Sequence, residues 1–218
     1  MIEVINLGEQ NSIFNQFVME IRNVEIQNDS MRFRRNIERM GEVFAYEVSK
    51  KLKYKSSLIT TPLGQIDIEL VEDQPVIATV LRAGLPLHSG FLNYFDKAGN
   101  AFVSAYRMHI PPNDFEVKVE YISSPDLKGK TLILCDPMLA SGQSMVLSYK
   151  ALLEAYGEPD HVHIVSIISS AEGTEYVKSQ VKSNVTIWTG AIDSEMTAQA
   201  YIVPGLGDAG DLAFGEKV

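Results

Sequence analysis

The chain has 218 residues, 45% hydrophobic and 22% charged, enough apolar material for one well-buried α/β domain and an ordinary composition for a soluble globular protein. Its formal net charge of −9 speaks against a nonspecific nucleic-acid binder, which needs a positive field over the phosphates. The lone cysteine, Cys135, excludes an intrachain disulfide, and no apolar run approaches the length of a membrane span. With an acidic Met1-Ile2-Glu3-Val4 start that lacks a signal-peptide pattern, the expected setting is the cytoplasm, with no membrane partner.

No repeat, low-complexity segment or long linker divides the chain, so residues 1–218 are read as a single domain. The first 54 or so residues read mostly as helix. Asp29 or Ser30 is placed to cap a helix through Arg32, Ile37, Met40, Val43 and Phe44. Arg32, Arg35 and Arg39 share one face of it and Arg34 lies off that face. Glu38 and Glu42 are spaced to pair with Arg35 and Arg39. A solvated face or a subunit contact explains the group. Next, residues 58–61 and 66–70 flank a turn and predict a β-hairpin. Its second arm alternates apolar and charged residues, so one face should be wet.

The middle of the chain changes pattern. Residues 76–81, 131–135 and 163–168 are nearly continuous apolar runs, as in strands buried on both faces of a parallel sheet. Helical stretches at 86–98, 144–156 and 172–182 alternate with them, which predicts a doubly wound sheet that binds ligands at its strand ends. At the first such end stands Leu81-Arg82-Ala83-Gly84-Leu85-Pro86. Pro86 suits a first helical turn, Gly84 a tight turn, and Arg82 offers a planar fork of donors to phosphate oxygens. A surface arginine at an ordinary βα loop fits this spacing equally well.

The second strand end is Asp136-Pro137-Met138-Leu139-Ala140-Ser141-Gly142-Gln143-Ser144. A carboxylate at a strand end suits the hydroxyls of a sugar. Small residues then lead into a helix, and a phosphate gains there from several backbone N–H donors and from the positive end of the helix dipole. Gly142 admits unusual dihedrals, and Ser141 and Ser144 add hydroxyls. The lysine of a P-loop is missing. A plain helix capped by Ser141 after a tight turn is the competing reading. Finally, Tyr201-Ile202-Val203-Pro204-Gly205-Leu206-Gly207-Asp208-Ala209-Gly210-Asp211 holds too many glycines for a helix or strand and suits a backbone that approaches a planar ligand closely.

The segment 136–144 resembles the phosphoribosyl-pyrophosphate (PRPP) signature of type I phosphoribosyltransferases, in particular the uracil phosphoribosyltransferase version. The runs 80–86 and 201–211 resemble the same family, and the resemblance covers almost the whole chain, weakest before residue 30 and over 108–128. It implies a central, mostly parallel sheet flanked by helices. A small hood and a β-hairpin arm come from the N-terminal helices, the 58–71 hairpin and the C-terminal tail. The implied reaction is transfer of the phosphoribosyl group of PRPP to uracil, giving UMP and pyrophosphate. Mg²⁺ would arrive with PRPP, with no direct side-chain ligands.

By the same resemblance, PRPP is held by Arg82, Arg107, the loop Asp136, Pro137, Met138, Leu139, Ala140, Ser141, Gly142, Gln143 and Ser144, and by Asp208. Uracil is held by Tyr201, Ile202, Gly207, Asp208 and Ala209, mostly through main-chain groups. A backbone N–H at O4 and a C=O at N3–H would reject cytosine, whose pattern there is reversed. Asp136, Arg107 and Asp208 stand nearest the chemistry, and residues 108–118 read as a mobile flap over the site. The helical arm implies a homodimer or a larger homo-oligomer. Ser141, Gln143, Pro86, Ala200 and Leu212 depart from the residues common in the family. Two rivals fit the same residues: a pyrimidine-responsive RNA-binding regulator on the same fold, and a phosphoribosyltransferase for another base. His161 and His163, two apart at a strand start, lack a third ligand for a metal, and Cys135 reads as a core thiol.

Overall fold

The computed structural model describes residues 2–110 and 114–216, with side chains for all of these except 106–110 and 114–117. The chain runs β1 (Glu3–Asn6), a 3-10 turn (Leu7–Glu9), α1 (Ile13–Arg22), α2 (Ser30–Ser49), β2 (Tyr54–Thr61), β3 (Gly64–Val71), β4 (Val76–Leu81) and α3 (Leu85–Leu92). It continues with β5 (Gly99–Ile110), β6 (Asp114–Ser123), β7 (Thr131–Cys135), β8 (Met138–Leu139), α4 (Gln143–Tyr156), β9 (His161–Ser170) and α5 (Ala171–Gln180). Last come β10 (Val185–Asp193), β11 (Glu195–Met196), β12 (Ile202–Val203) and α6 (Ala209–Phe214).

The main sheet has the order β1-β10-β9-β7-β4-β5-β6, with β8 beside β9. All its pairs are parallel except β5–β6. The continuous apolar runs explain this layering. Successive strand residues point to opposite faces, so each central strand must feed two cores. Ile77 and Ile133 join Phe14, Ile37, Met40, Phe44, Leu87 and Phe91 under α1, α2 and α3. Ala78, Leu132 and Leu134 join Met145, Val146, Leu152 and Val177 under α4 and α5. Each fully buried Leu, Ile or Phe contributes roughly 1.5–3 kcal/mol relative to exposure.

Several expectations need correction. The helix expected over 86–98 ends at Leu92 and continues only as turns, with Phe95 N donating to Phe91 O and Ala98 N to Phe95 O. The strands β1 and β10 were not anticipated. In β10 the apolar positions alternate with Thr186 and Thr189, which are buried and bonded, Thr189 to Ser169 at 2.8 Å. The hairpin forms over β2 and β3, longer than expected, yet both its faces are wet. Leu58, Ile66, Ile68 and Leu70 are exposed and Leu63 at its tip is fully so.

On α2, Asp29 is the N-cap, accepting from Arg32 N at 3.0 Å. Arg35 pairs with Glu38 as the spacing implied. Arg39 does not pair with Glu42; it donates to Asn36 and lies over the Phe17 ring, while Glu38 and Glu42 accept from Asn93. Cys135 is a buried thiol, donating to Ala78 O, and burial pushes its pKa up to about 12. His163 accepts from Trp188 Nε1 at 3.1 Å, and burial holds its imidazole down to about 3. His161 bonds Thr186 instead.

Candidate active site

At the carboxyl ends of the parallel strands lies one cavity of about 760 Å³. Four separate stretches of sequence contribute to its wall: 81–83 at the end of β4, 104–105 within β5, Met138, Ala140 and Ser144 after β7, and residues of the tail between 200 and 216. The strand ends converge because they are neighbours in the sheet, and the tail is folded across them.

The first stretch brings Arg82 to the cavity. Its Nη2 donates to Asp211 Oδ1 and to Gly215 O, both at 3.2 Å, while Nε is buried with no hydrogen-bond partner. The Leu81–Arg82 peptide is cis. Gly84 has an ordinary helical φ of −70°, so it is not there for dihedral freedom. A Cβ at that position would lie 2.1 Å from Thr79 Oγ1 and 2.6 Å from Val80 O, so space is what requires glycine.

The cradle takes a form that separates its two readings. The N-cap of α4 is Gly142, at φ 77°, with no side-chain cap bond. The Ser141 hydroxyl reaches only Gln143 N, at 3.5 Å, so Ser141 does not cap the helix. Apart from that long contact, the first turn of α4 presents backbone N–H groups that no side-chain cap occupies, the arrangement an anion needs. A Cβ on Gly142 would meet Gly173 O and Val177 Cγ2 at 2.9 Å, so the turn is also pressed against α5. Ser170, the N-cap of α5, donates to Ala140 O at 2.6 Å and fixes the loop from the other side.

Within the cradle, Met138, Ala140 and Ser144 line the cavity. Pro137 and Leu139 are buried, with Pro137 O accepting from Ile167 N and Ile168 N, so these two shape the loop from beneath. Asp136 is half-buried just ahead of the loop, its Oδ1 accepting from Met138 N at 3.2 Å. Arg107 lies on β5, opposite Val117 of β6; its side chain is outside the described residues. Residues 108–118, expected as a flap, contribute the outer ends of β5 and β6, and 111–113 lie outside the described residues.

In the tail, Tyr201, Ile202, Gly207, Asp208 and Ala209 all line the cavity. Tyr201 is half exposed, whereas Ile202 and Ala209 are buried. Gly207 adopts φ 91°, with nothing within 4 Å of a would-be Cβ, so its backbone stands open toward the cavity. Asp208 also shapes the chain around it. It is the N-cap of α6, its Oδ1 accepting from Gly210 N at 2.8 Å and Asp211 N at 3.0 Å.

Leu81, Ala83, Ser104, Ala105, Ala200, Gly210 and Glu216 also line the cavity, although none is among the site residues expected from the sequence. Ser104 lies within β5, where its parallel pairing with β4 ends opposite Leu81 and the register toward β6 shifts. Arg34, off the face that Arg32, Arg35 and Arg39 share, reaches across to Ala213 O at 2.6 Å and holds the end of α6.

The fold is that of the phosphoribosyltransferases. The adenine phosphoribosyltransferase of Trypanosoma brucei, solved with AMP, pyrophosphate and ribose-5-phosphate, matches with a TM-score of 0.55 at 14% identity, over 87% of this chain and 83% of that one. The AQ2163 protein of Aquifex aeolicus matches over 99% of both chains with a TM-score of 0.87 at 25% identity. The family model described as uracil phosphoribosyltransferase matches residues 9–216, and the chain belongs to the uracil phosphoribosyltransferase family. The Porphyromonas gingivalis uracil phosphoribosyltransferase is 56% identical over the full length of both chains. That of Methanothermobacter thermautotrophicus is 39% identical over 86% of this chain and 85% of its own.

Proposed function

We propose that this cavity is where the chain carries out the family's pentosyltransferase reaction, uracil and PRPP giving UMP and pyrophosphate. The observation that carries the assignment is a convergence. An uncapped helix N-terminus, a forked arginine and a glycine-rich backbone open onto one space although they lie far apart in sequence.

The N–H groups of Ser141 to Ser144 would hold the phosphate of PRPP at the positive end of α4. Asp136, beside that loop, would accept from the ribose hydroxyls. Arg82 and Arg107 would take the pyrophosphate oxygens, Arg82 trading its bonds to Asp211 and Gly215 for stronger ones to phosphate. The backbone of Ile202, Gly207 and Ala209 would read the uracil edge. Main-chain donors and acceptors left unpaired by cytosine would penalise that base. Tyr201, on the cavity wall, would pack beside the ribose. The protein thus acts by positioning two substrates and by countering charge as the bond to pyrophosphate breaks.

Among the described residues no group of three His, Cys, Asp or Glu side chains is arranged to hold a metal ion. Magnesium keeps its waters and binds through substrate phosphates, so it would arrive with PRPP. Asp208, on the cavity wall, would meet such an ion through its waters, and the ion would supply charge neutralisation for the leaving pyrophosphate. Small molecules are the expected partners; the acidic balance of the chain disfavours nucleic acid. The exposed apolar residues on both faces of β2–β3 support a homodimer or larger assembly through that arm. Among the described residues no helix is long and apolar enough to cross a membrane. The lone cysteine, which can form no intrachain disulfide, supports a cytoplasmic setting.

Incubation with Mg²⁺, PRPP and single bases tests the proposal. Uracil should give UMP and pyrophosphate and cytosine should not. If uracil is inert while another base reacts, the assignment is wrong. Asp136→Asn retains the oxygen that accepts from Met138 N. It should leave the fold intact and cut kcat by on the order of a hundredfold, the scale of losing one preorganised electrostatic partner.

A further inference from the structure

Neither Arg22 nor Asp193 lines the cavity, yet together they grip a segment that does. Arg22 is the last residue of α1 and Asp193 the last of β10. Their side chains form a forked pair, Nη1 to Oδ2 at 2.7 Å and Nη2 to Oδ1 at 2.8 Å. Both are shielded, at 21% and 9% exposure. The same two groups then close on a single residue of the tail. Gly205 N donates to Asp193 Oδ2, and Arg22 Nη1 donates to Gly205 O, each at 2.9 Å.

One ion pair thus binds both main-chain groups of Gly205. Gly205 sits at φ 55°, and a Cβ there would lie 2.1 Å from Ile202 O. It stands between Ile202 and Gly207, which both line the cavity. Burial raises the Asp193 carboxyl, but the Arg22 guanidinium and the Gly205 N–H outweigh that and hold it below the usual carboxylate range. The pair stays charged and forked at neutral pH.

A loop that recognises its ligand with main-chain atoms cannot be tuned by its own rotamers. Its precision has to come from whatever fixes the backbone. Ile202 and Leu206 are anchored by buried side chains, but Gly205 and Gly207 have none to offer and Tyr201 is half exposed. We propose that the Arg22–Asp193 pair is a positioning device for base recognition, holding the Ile202–Gly207 backbone in register with the uracil edge. This rests on the reading of the tail as the uracil-binding segment. A mere structural tie would lower stability and weaken both substrates alike. A positioning pair would weaken uracil selectively, because PRPP is held by the strand-end loops and, in the tail, only by Asp208, which is fixed separately as the cap of α6.

Arg22→Lys, Arg22→Ala and Asp193→Asn in the full chain test this. Lysine retains the charge but cannot fork. KM for uracil should rise about tenfold or more in Arg22→Ala and Asp193→Asn, a modest share of what a 1 Å misplacement can cost. KM for PRPP should stay within about twofold, and Arg22→Lys should fall between wild type and Arg22→Ala. Should Arg22→Ala fail to fold, the same split in Arg22→Lys, with its melting temperature alongside, decides the matter. An unchanged uracil KM in a folded variant, or equal rises for both substrates, overturns the inference. Wild-type protein that makes no UMP overturns the reading of the site itself.

Discussion

The loop from Asp136 to Ser144 is fixed by what lies next to it. Met138 and Leu139 pair with β9, Pro137 O takes two N–H groups of the same strand, and Ser170 clamps Ala140. The tail from Ala200 to Glu216 pairs only with the two-residue β11 and buries Ile202, Leu206, Ala209 and Ala213, with no strand of the main sheet beside it. Between those points it is tied by arginines sent from afar: Arg22 on Gly205, Arg34 on Ala213, and Arg82 on Asp211 and Gly215. One wall of the cavity is an extension of the sheet, and the other is a strap tied down by charge-assisted bonds. Such bonds are directional and strong where shielded, but each depends on a single distant side chain. The phosphate side should therefore tolerate loss of remote contacts, and the base side should not.

The largest expected effect comes from breaking the sheet-borne wall at its tightest point. Gly142→Val must place a branched side chain at φ 77°, where Cβ alone already meets Gly173 O and Val177 Cγ2 at 2.9 Å. The left-handed backbone costs about 1–2 kcal/mol for such a residue. The larger loss is in the aim of the α4 N–H groups, and kcat/KM for PRPP should fall by on the order of a hundredfold or more. Steady-state kinetics at saturating uracil check it. A variant that keeps PRPP kinetics would mean that the α4 N-terminus is not the phosphate site.

A smaller effect should appear in acid, on the strap's side only. Glu20 on α1 accepts from Arg32 at 2.7 and 2.8 Å and from Asn36 at 2.6 Å. The Arg32 bond first, then the Asn36 bond, hold the Glu20 carboxyl down to about 2, against an ordinary 4.5. Its pKa is lowered in the fold, so its contribution is full above 4.5 and is lost as pH falls toward 2. It ties α1, which carries Arg22, to α2. Glu20→Gln should flatten the stability profile between those two values and leave it unchanged at neutral pH apart from a constant offset. Urea unfolding at stepped pH reads this directly; parallel curves for the two proteins would remove Glu20 from acid sensitivity.

This contrast also sets what the sequence alone discloses. The cradle is legible because its determinants are contiguous: an apolar strand, a carboxylate, small residues and an amphipathic helix. The three central strands are legible for the same reason. The strap's glycines are visible, but the arginines that tie it are not, since residues 22, 34 and 82 meet residues 193–215 only after folding. Arg34 looked like the odd arginine on α2, yet it is the one that reaches the tail. Asp208 looked purely functional and is also a helix cap, because the same carboxylate geometry serves both roles. The strand β10 hid behind its threonines, which are polar in sequence but satisfied by neighbours when buried.

The smallest expected effect sharpens the comparison at the point where the strap begins. Ala200 adopts φ 60°, a left-handed conformation that glycine enters freely and alanine does not. Thr197 locks it there, with Thr197 N donating to Tyr201 O at 2.8 Å and Ala200 N to Thr197 O at 2.9 Å. Alanine therefore carries strain immediately before Tyr201, while every left-handed residue of the phosphate cradle is already glycine. Ala200→Gly should relieve it and stabilise the protein by about 1 kcal/mol, the penalty for φ > 0 less the extra entropy glycine loses on folding. Thermal unfolding would register this as a rise of roughly 2–4 °C for a chain of this size. Uracil KM should not rise, because the Thr197–Tyr201 bonds still set the path of the chain. A fall in melting temperature would show that the turn at Ala200 is shaped by something other than backbone strain, and that the strap needs alanine's stiffness where it leaves β11.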